Sequence, residues 1–214
     1  FVTPYLNEIQ RVKTESKEKY NVEFVEPNGK YSKSEDFKIL LKEGRNIVTS
    51  HALFRDIDSD HYQLIKSGEY KMILDEVMQV IETTSYNAKD MEHMEKLGLL
   101  IDNNDGEYIS SGKGYKGTID GIKTIVKIAK KQRFFKYADG VYLWLFPAEL
   151  IDCVQELTIL TYMFEAQIMA SYLKVYGFEY KLMTCTREEG FIPYRHIDTA
   201  EYANLIEIFS NKRF

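Results

Sequence analysis

The chain has 214 residues, of which 44% are hydrophobic and 29% charged, with 12 glycines, 4 prolines and a formal net charge of −5. This composition excludes disorder, a collagen-like repeat and a coiled coil as the main architecture, and the length suits one domain, at most two. The negative balance excludes a uniformly basic nucleic-acid binder, so any contact with a polyanion has to be local. The longest apolar run, Val141–Phe146, falls far short of the roughly 18 residues a membrane helix needs, and no membrane contact is expected. Cys153 and Cys185 are the only cysteines, too few for a disulfide framework or a zinc site, and are expected to be reduced thiols.

In chain order, Phe1-Val2-Thr3 reads as a short strand and Tyr5–Lys19 as a helix with Pro4 at its first turn. The chain thus opens on a strand-like run, so no leader sequence is expected in it and an upstream piece is expected to have been removed. Val22–Val25 is a second strand closed by Pro27-Asn28-Gly29, and Ser34–Glu43 is a helix capped by Ser34 and stopped by Gly44. Asn46–Thr49 is a third strand, followed by a polar segment of helical spacing through Leu64-Ile65, and Lys71–Leu74 is a fourth. Short apolar runs without alternation suit strands covered on both faces, hence a mostly parallel sheet.

The middle of the chain segregates charge. Residues 54–107 carry thirteen acidic and five basic side chains, whereas residues 113–136 carry eight basic ones and the single acid Asp120. Residues 83–118, with a helix over Met91–Leu100, a turn at Asn103–Gly106 and a strand from Glu107, are expected to be an insertion or small subdomain. From Ile119 the α/β pattern resumes: a helix over Ile122–Lys131, strands at Val141–Phe146 and Leu157–Thr161, and a helix over Phe164–Tyr176 ended by Gly177. Tyr180–Cys185 is a strand and Thr199–Phe209 a closing helix. Residues 1–82 and 119–214 are therefore expected to be the two halves of one α/β domain, the second running on toward a further domain.

Chemistry concentrates at strand ends. Lys71-Met72-Ile73-Leu74-Asp75-Glu76 delivers two adjacent carboxylates from a buried strand, the arrangement with which P-loop NTPases hold magnesium and polarise water. The competing structural reading makes Asp75 the cap of a helix over Glu76–Ile81. Val2-Thr3-Pro4, Val48-Thr49-Ser50-His51 and Thr158-Ile159-Leu160-Thr161 are likewise apolar strands ending in hydroxyl or imidazole groups. In an open parallel sheet these ends line the edge where ligands bind.

This ordered series resembles the first RecA-like domain of a superfamily-two, DEAD-like helicase of the divergent kind found in phages. The resemblance implies an α/β, RecA-like, mostly parallel sheet with helices on both faces and a small inserted subdomain. It implies that Asp75 and Glu76 serve Mg-ATP catalytically, with Asp75 holding magnesium through water, and that Thr158 and Thr161 form the coupling motif. Thr3, Pro4, Thr49, Ser50 and His51 would face nucleic acid, DNA ahead of RNA. No GxxxxGK[ST] loop occurs in the chain, and the loop Ser111–Thr118 lacks the Gly-Lys-Thr order and reads as a flexible basic loop. The resemblance puts the missing phosphate loop upstream of Phe1 and a second RecA-like domain downstream. It also implies a cytoplasmic setting in a bacterium or a phage-infected cell.

Independently, Lys123, Lys127 and Lys130 or Lys131 fall on one helical face, with Tyr115, Phe134 and Phe135 close by in the sequence, a stripe that could track a phosphate backbone. The plain alternative is a solvated helix face with both phenylalanines in the core. His61, His93 and His196 are isolated, and Cys185 with His196 makes no nucleophile pair. The function expected is an ATP-dependent nucleic-acid helicase or translocase. The alternatives are a non-enzymatic nucleic-acid-binding or assembly module on a degenerate NTPase-like fold and, more remotely, a metal-dependent nuclease.

Overall fold

In a computed structural model, residues 1–29, 32–103, 106–113, 115, 120–131, 133–138 and 140–194 are described, with the backbone alone at 120, 127 and 131. The chain divides into two units, Phe1–Tyr176 and Gly177–Phe214. The first is mixed α/β and, among the described residues, contains one parallel and one antiparallel sheet.

The parallel sheet has four strands in the order β2-β1-β3-β9. They are β1 (Val2–Thr3), β2 (Thr49–Ser50), β3 (Lys71–Asp75) and β9 (Glu156–Leu160). Between β1 and β2 run α1 (Leu6–Tyr20) and α2 (Lys33–Lys42); between β2 and β3 run α3 (His51–Arg55) and α4 (Ser59–Ser67). Strand alternation puts Val48 and Ile47 on opposite faces of the sheet. Ile9 and Val12 of α1 pack on Val48, while Phe37 and Leu41 of α2 and Ile65 of α4 are buried beside Val2, Ile47 and Met72. Helices therefore flank both faces, but not evenly. Ile73 of β3 is 38% exposed and Leu160 of β9 is 37% exposed, so the β3–β9 half keeps uncovered apolar surface.

The antiparallel sheet has five strands in the order β4-β8-β7-β6-β5. These are β4 (Ile81–Ser85), β5 (Leu100–Asp102), β6 (Glu107–Ser110), β7 (Arg133–Ala138) and β8 (Val141–Leu145), joined by α5 (Ala88–Lys96) and α6 (Asp120–Lys131). Met91 and Met94 of α5 and Ile122, Ile125, Val126 and Ala129 of α6 close over Tyr108, Phe134 and Tyr142 to form its core. This sheet lies wholly between β3 and β9 in sequence, although those two strands pair directly. The α/β pattern expected to resume at Ile119 does so only after α7 (Glu149–Asp152), at β9. β7 and β8 belong instead to the antiparallel sheet, and α6 packs on it. The chain then continues through a 3₁₀ turn at Phe164–Ala166 into α8 (Ile168–Val175).

Several local expectations shift. Tyr5 is the extended N-cap of α1, so Pro4 precedes the helix and is not part of its first turn. Ser32, not Ser34, caps α2 by accepting the Glu35 amide at 3.0 Å. Val22–Val25 is no strand: among the described residues it makes a single bridge, Val25 to Ile47, with Val22 37% exposed and Phe24 packed on the Ile9–Val12–Val48 cluster. Among the described residues no helix is long and apolar enough to cross a membrane. In the second unit, β10 (Met183–Thr186) and β11 (Gly190–Pro193) form an antiparallel hairpin. The helix expected at Thr199–Phe209 lies outside the described residues, as does His196.

Candidate functional site

Parallel register assembles the site. Thr3 lies opposite Ser50, Val2 opposite Leu74, and Asp75 opposite Leu160. The carboxyl ends of all four strands therefore come level, with neighbouring strands roughly 4.8 Å apart. Thr3 Oγ1 donates to Asp75 Oδ2 at 3.3 Å. His51, the first residue of α3, holds Nε2 2.9 Å from the main-chain oxygen of Asp75. A carbonyl only accepts, so Nε2 carries the hydrogen. Burial pushes the His51 pKa down, against the opposing pull of the Asp75 carbonyl and the carboxylates of Asp75 and Glu76.

Glu76 is exposed and adopts φ +62°, the left-handed region that a glutamate enters only at a cost of about 1–3 kcal/mol. Two bonds from the β9 end hold it there. Its amide donates to the Leu160 carbonyl at 2.8 Å, and its Oε2 accepts from Thr161 Oγ1 at 2.7 Å. The chain then runs without regular structure to β4, so no helix opens at Glu76 and Asp75 caps none. Strain at a surface carboxylate beside a second carboxylate is the kind of outlier that function retains. Glu76→Gly is expected to raise stability by about 1 kcal/mol in urea unfolding, because relief of the left-handed backbone outweighs one exposed side-chain bond. A loss of stability of that size would show that the Thr161 bond outweighs the strain.

The other residues expected at the site divide. Thr3 is 0% and Thr49 3% exposed, so neither side chain faces a surface where nucleic acid could lie. Thr3 instead orients Asp75, and the buried Thr49 Oγ1 has no hydrogen-bond partner among the described residues. Alternation puts Thr49 on the face of Val2 and Ile47, away from Ser50. The Ser50 hydroxyl accepts the Leu53 amide at 3.3 Å and caps α3. Pro4 is half-buried ahead of Tyr5, and Thr158 is half-buried within β9 opposite Ile73.

On α6, Lys123 and Lys130 are exposed opposite the buried stripe of Ile122, Ile125 and Val126; the side chains of Lys127 and Lys131 lie outside the described set. Phe134 is fully buried and Phe135 half-buried under the Arg133 guanidinium, 5.0 Å from its ring centroid. Arg133 Nε also bonds Glu107 at 3.0 Å, and that carboxylate raises its pKa further. The stripe is thus reduced to its lysines, with Phe134 removed as a stacking platform.

Two further groups look reactive and are not. His61 is fully buried between Asp58 (Nδ1 to Oδ1, 2.7 Å) and Ser34, in the order of a nucleophile triad. However, its Nε2 lies 3.0 Å from the Ser34 carbonyl oxygen, so that nitrogen donates and has no lone pair to take a hydroxyl proton. Burial pushes the Cys153 thiol up to about 11, which leaves it un-ionised and inert at neutral pH. Among the described residues no three His, Cys, Asp or Glu side chains are grouped to hold a metal.

No family model and no solved structure matches the chain. The chain is 31% identical over 201 residues to the SPbeta prophage-derived uncharacterized protein YonV of Bacillus subtilis (strain 168). The match covers 88% of this chain and 47% of that protein, so the chain spans about half the length of the curated relative it matches.

Proposed function

We propose that the Phe1–Tyr176 unit is the body of a RecA-like motor domain in an ATP-dependent nucleic-acid helicase or translocase. Asp75 would hold magnesium through water and Glu76 would orient the attacking water. The observation that carries this reading is the strained Glu76, bonded to Thr161 across the β3–β9 boundary and adjacent to Asp75, at the carboxyl edge of a parallel sheet. That bond gives Thr161 a direct way to sense the state of the water-orienting carboxylate. Thr3 and His51 would keep the Asp75 carboxylate and main chain in place.

The missing phosphate loop has room on this fold. Among the described residues β9 is a terminal strand of the parallel sheet, and Ile73 and Leu160 leave apolar surface beside it uncovered. A further strand–loop–helix unit could pair with β9 and cover that surface, satisfying an edge that is otherwise a liability. The prophage origin of the relative supports the phage part of the reading, and Lys123 and Lys130 of α6 supply cations for a phosphate backbone.

The test is to express the protein together with the residues encoded before Phe1 and to measure Mg-ATP turnover. With a GxxxxGK[ST] loop present, turnover is expected to fall by about 10³-fold or more in Glu76→Gln, and nucleotide binding to weaken in Asp75→Ala. An upstream region without that loop, or turnover indifferent to both variants, overturns the ATPase reading and leaves the non-enzymatic binding module.

A further inference from the structure

The antiparallel sheet meets the candidate site through more than the covalent chain. α3 is only five residues long, and its two ends touch different sheets. At its start His51 bonds the Asp75 main-chain oxygen at 2.9 Å; at its end the Arg55 guanidinium lies over the Trp144 ring of β8, 5.4 Å from the centroid. Arg55 also reaches Glu82 of β4, which is the cross-strand neighbour of Trp144, at 3.6 Å. Phe54 between them is 2% exposed, which anchors the short helix against rotation.

Trp144 is itself an unsettled group. Its ring is 3% exposed, yet the buried indole Nε1 has no acceptor among the described residues. A buried donor left unpaired costs about 1–3 kcal/mol, so the ring is held by its packing and by the overlying cation, and not by its polar atom. A side chain whose position rests on packing and one overlying cation responds to any movement of that cation.

We propose that Arg55 and Trp144 form a latch that couples the Asp75–Glu76 turn to the antiparallel sheet, with α3 as the rigid strut between them. A shift of the Asp75 main chain moves His51, carries Arg55 with it and changes the cover over Trp144. By reciprocity, a displacement of β8 is felt at Asp75. The latch is a property of the fold and stands whether or not the turn handles a nucleotide.

Trp144 is the only tryptophan, so acrylamide quenching of intrinsic fluorescence reads the latch alone. In the full 214-residue chain, His51→Ala is expected to raise the quenching constant roughly twofold when Arg55 is present. It is expected to have no further effect in an Arg55→Met background, where the ring is already uncovered. Arg55→Lys keeps the charge without the planar stack and serves the same comparison if the methionine variant does not fold. His51→Ala without effect, or with the same factor in both backgrounds, overturns the latch and makes Arg55 a packing contact only. In the reverse direction, Trp144→Phe is expected to move the His51 ring resonances, and unmoved resonances overturn it equally.

Discussion

Raising the pH from 5 to 8 is expected to stabilise the 214-residue chain by roughly 4 kcal/mol, and the amino group of Phe1 is the reason. That group is buried where β1 begins and donates to the Ile47 carbonyl at 2.7 Å, as a strand amide would. Burial pushes its pKa from 8.0 down to about 5. Between those values the unfolded chain binds a proton that the folded chain does not, so stability rises with pH through this window. The contribution is complete above pH 8 and lost as the pH falls toward 5. His51, whose pKa is also pushed down, adds a slope of the same sign below its ordinary 6.5. A chain that carries residues before Phe1 has an amide at that position and keeps only the His51 part. Urea midpoints of the two chains across this range measure the difference; parallel curves would show that the Phe1 amine ionises in the folded state without penalty.

The parallel sheet was legible because each of its strands ends in chemistry. Ile73-Leu74-Asp75-Glu76 and Ile159-Leu160-Thr161 are apolar runs with polar terminations, and parallel register then forces those terminations side by side. Asp75, Glu76, Thr161, Thr3, Ser50 and His51 all stand at or just beyond strand ends in the sequence, and the register brings those ends to one edge. Their exposure was not legible. Thr3 pairs directly with Ser50 and Thr49 lies one step earlier opposite Val2, and burial is decided by what packs across each face.

The antiparallel sheet was the larger miss. Val141–Phe146 is apolar at every position, which reads as a strand covered on both faces. In fact Tyr142 and Trp144 are buried while Val141, Leu143 and Leu145 are half-buried, so the strand has one core face and one partly open face. No alternation betrays this because the half-open face is also apolar. The left-handed Glu76 left no trace either, since glutamate has no preference for that conformation and long-range bonds from β9 impose it. The Arg55–Trp144 contact spans eighty-odd residues and lies beyond any periodicity.

Phe134→Ala is expected to cost about 3–5 kcal/mol, with a single unfolding transition retained. Phe134 is fully buried at the centre of the aromatic cluster under α5 and α6. Its ring stacks on Tyr142 at 5.5 Å and 15°, and meets Tyr108 at 6.1 Å and Tyr86 at 6.1 Å. Truncation removes all three contacts and leaves a cavity that the surrounding strands cannot close, because β7 is paired on both sides. Phe135, half-buried beneath Arg133, is expected to cost about 1 kcal/mol when truncated, chiefly the packed cation. The ratio separates a core residue from a stacking platform: comparable losses at 134 and 135 would mean the cluster is not the sheet's core. Coincidence of the far-ultraviolet and Trp144 fluorescence transitions decides a second matter. Trp144 lies opposite Phe134 in the register and under Arg55 of α3, so it reports on the junction between the two sheets. If fluorescence in Phe134→Ala unfolds before the circular dichroism signal, the antiparallel sheet opens as its own cooperative unit. If the two remain superimposed, a loss at the centre of one sheet is carried to the other, and the insertion is as much a part of the domain as the strands that flank it.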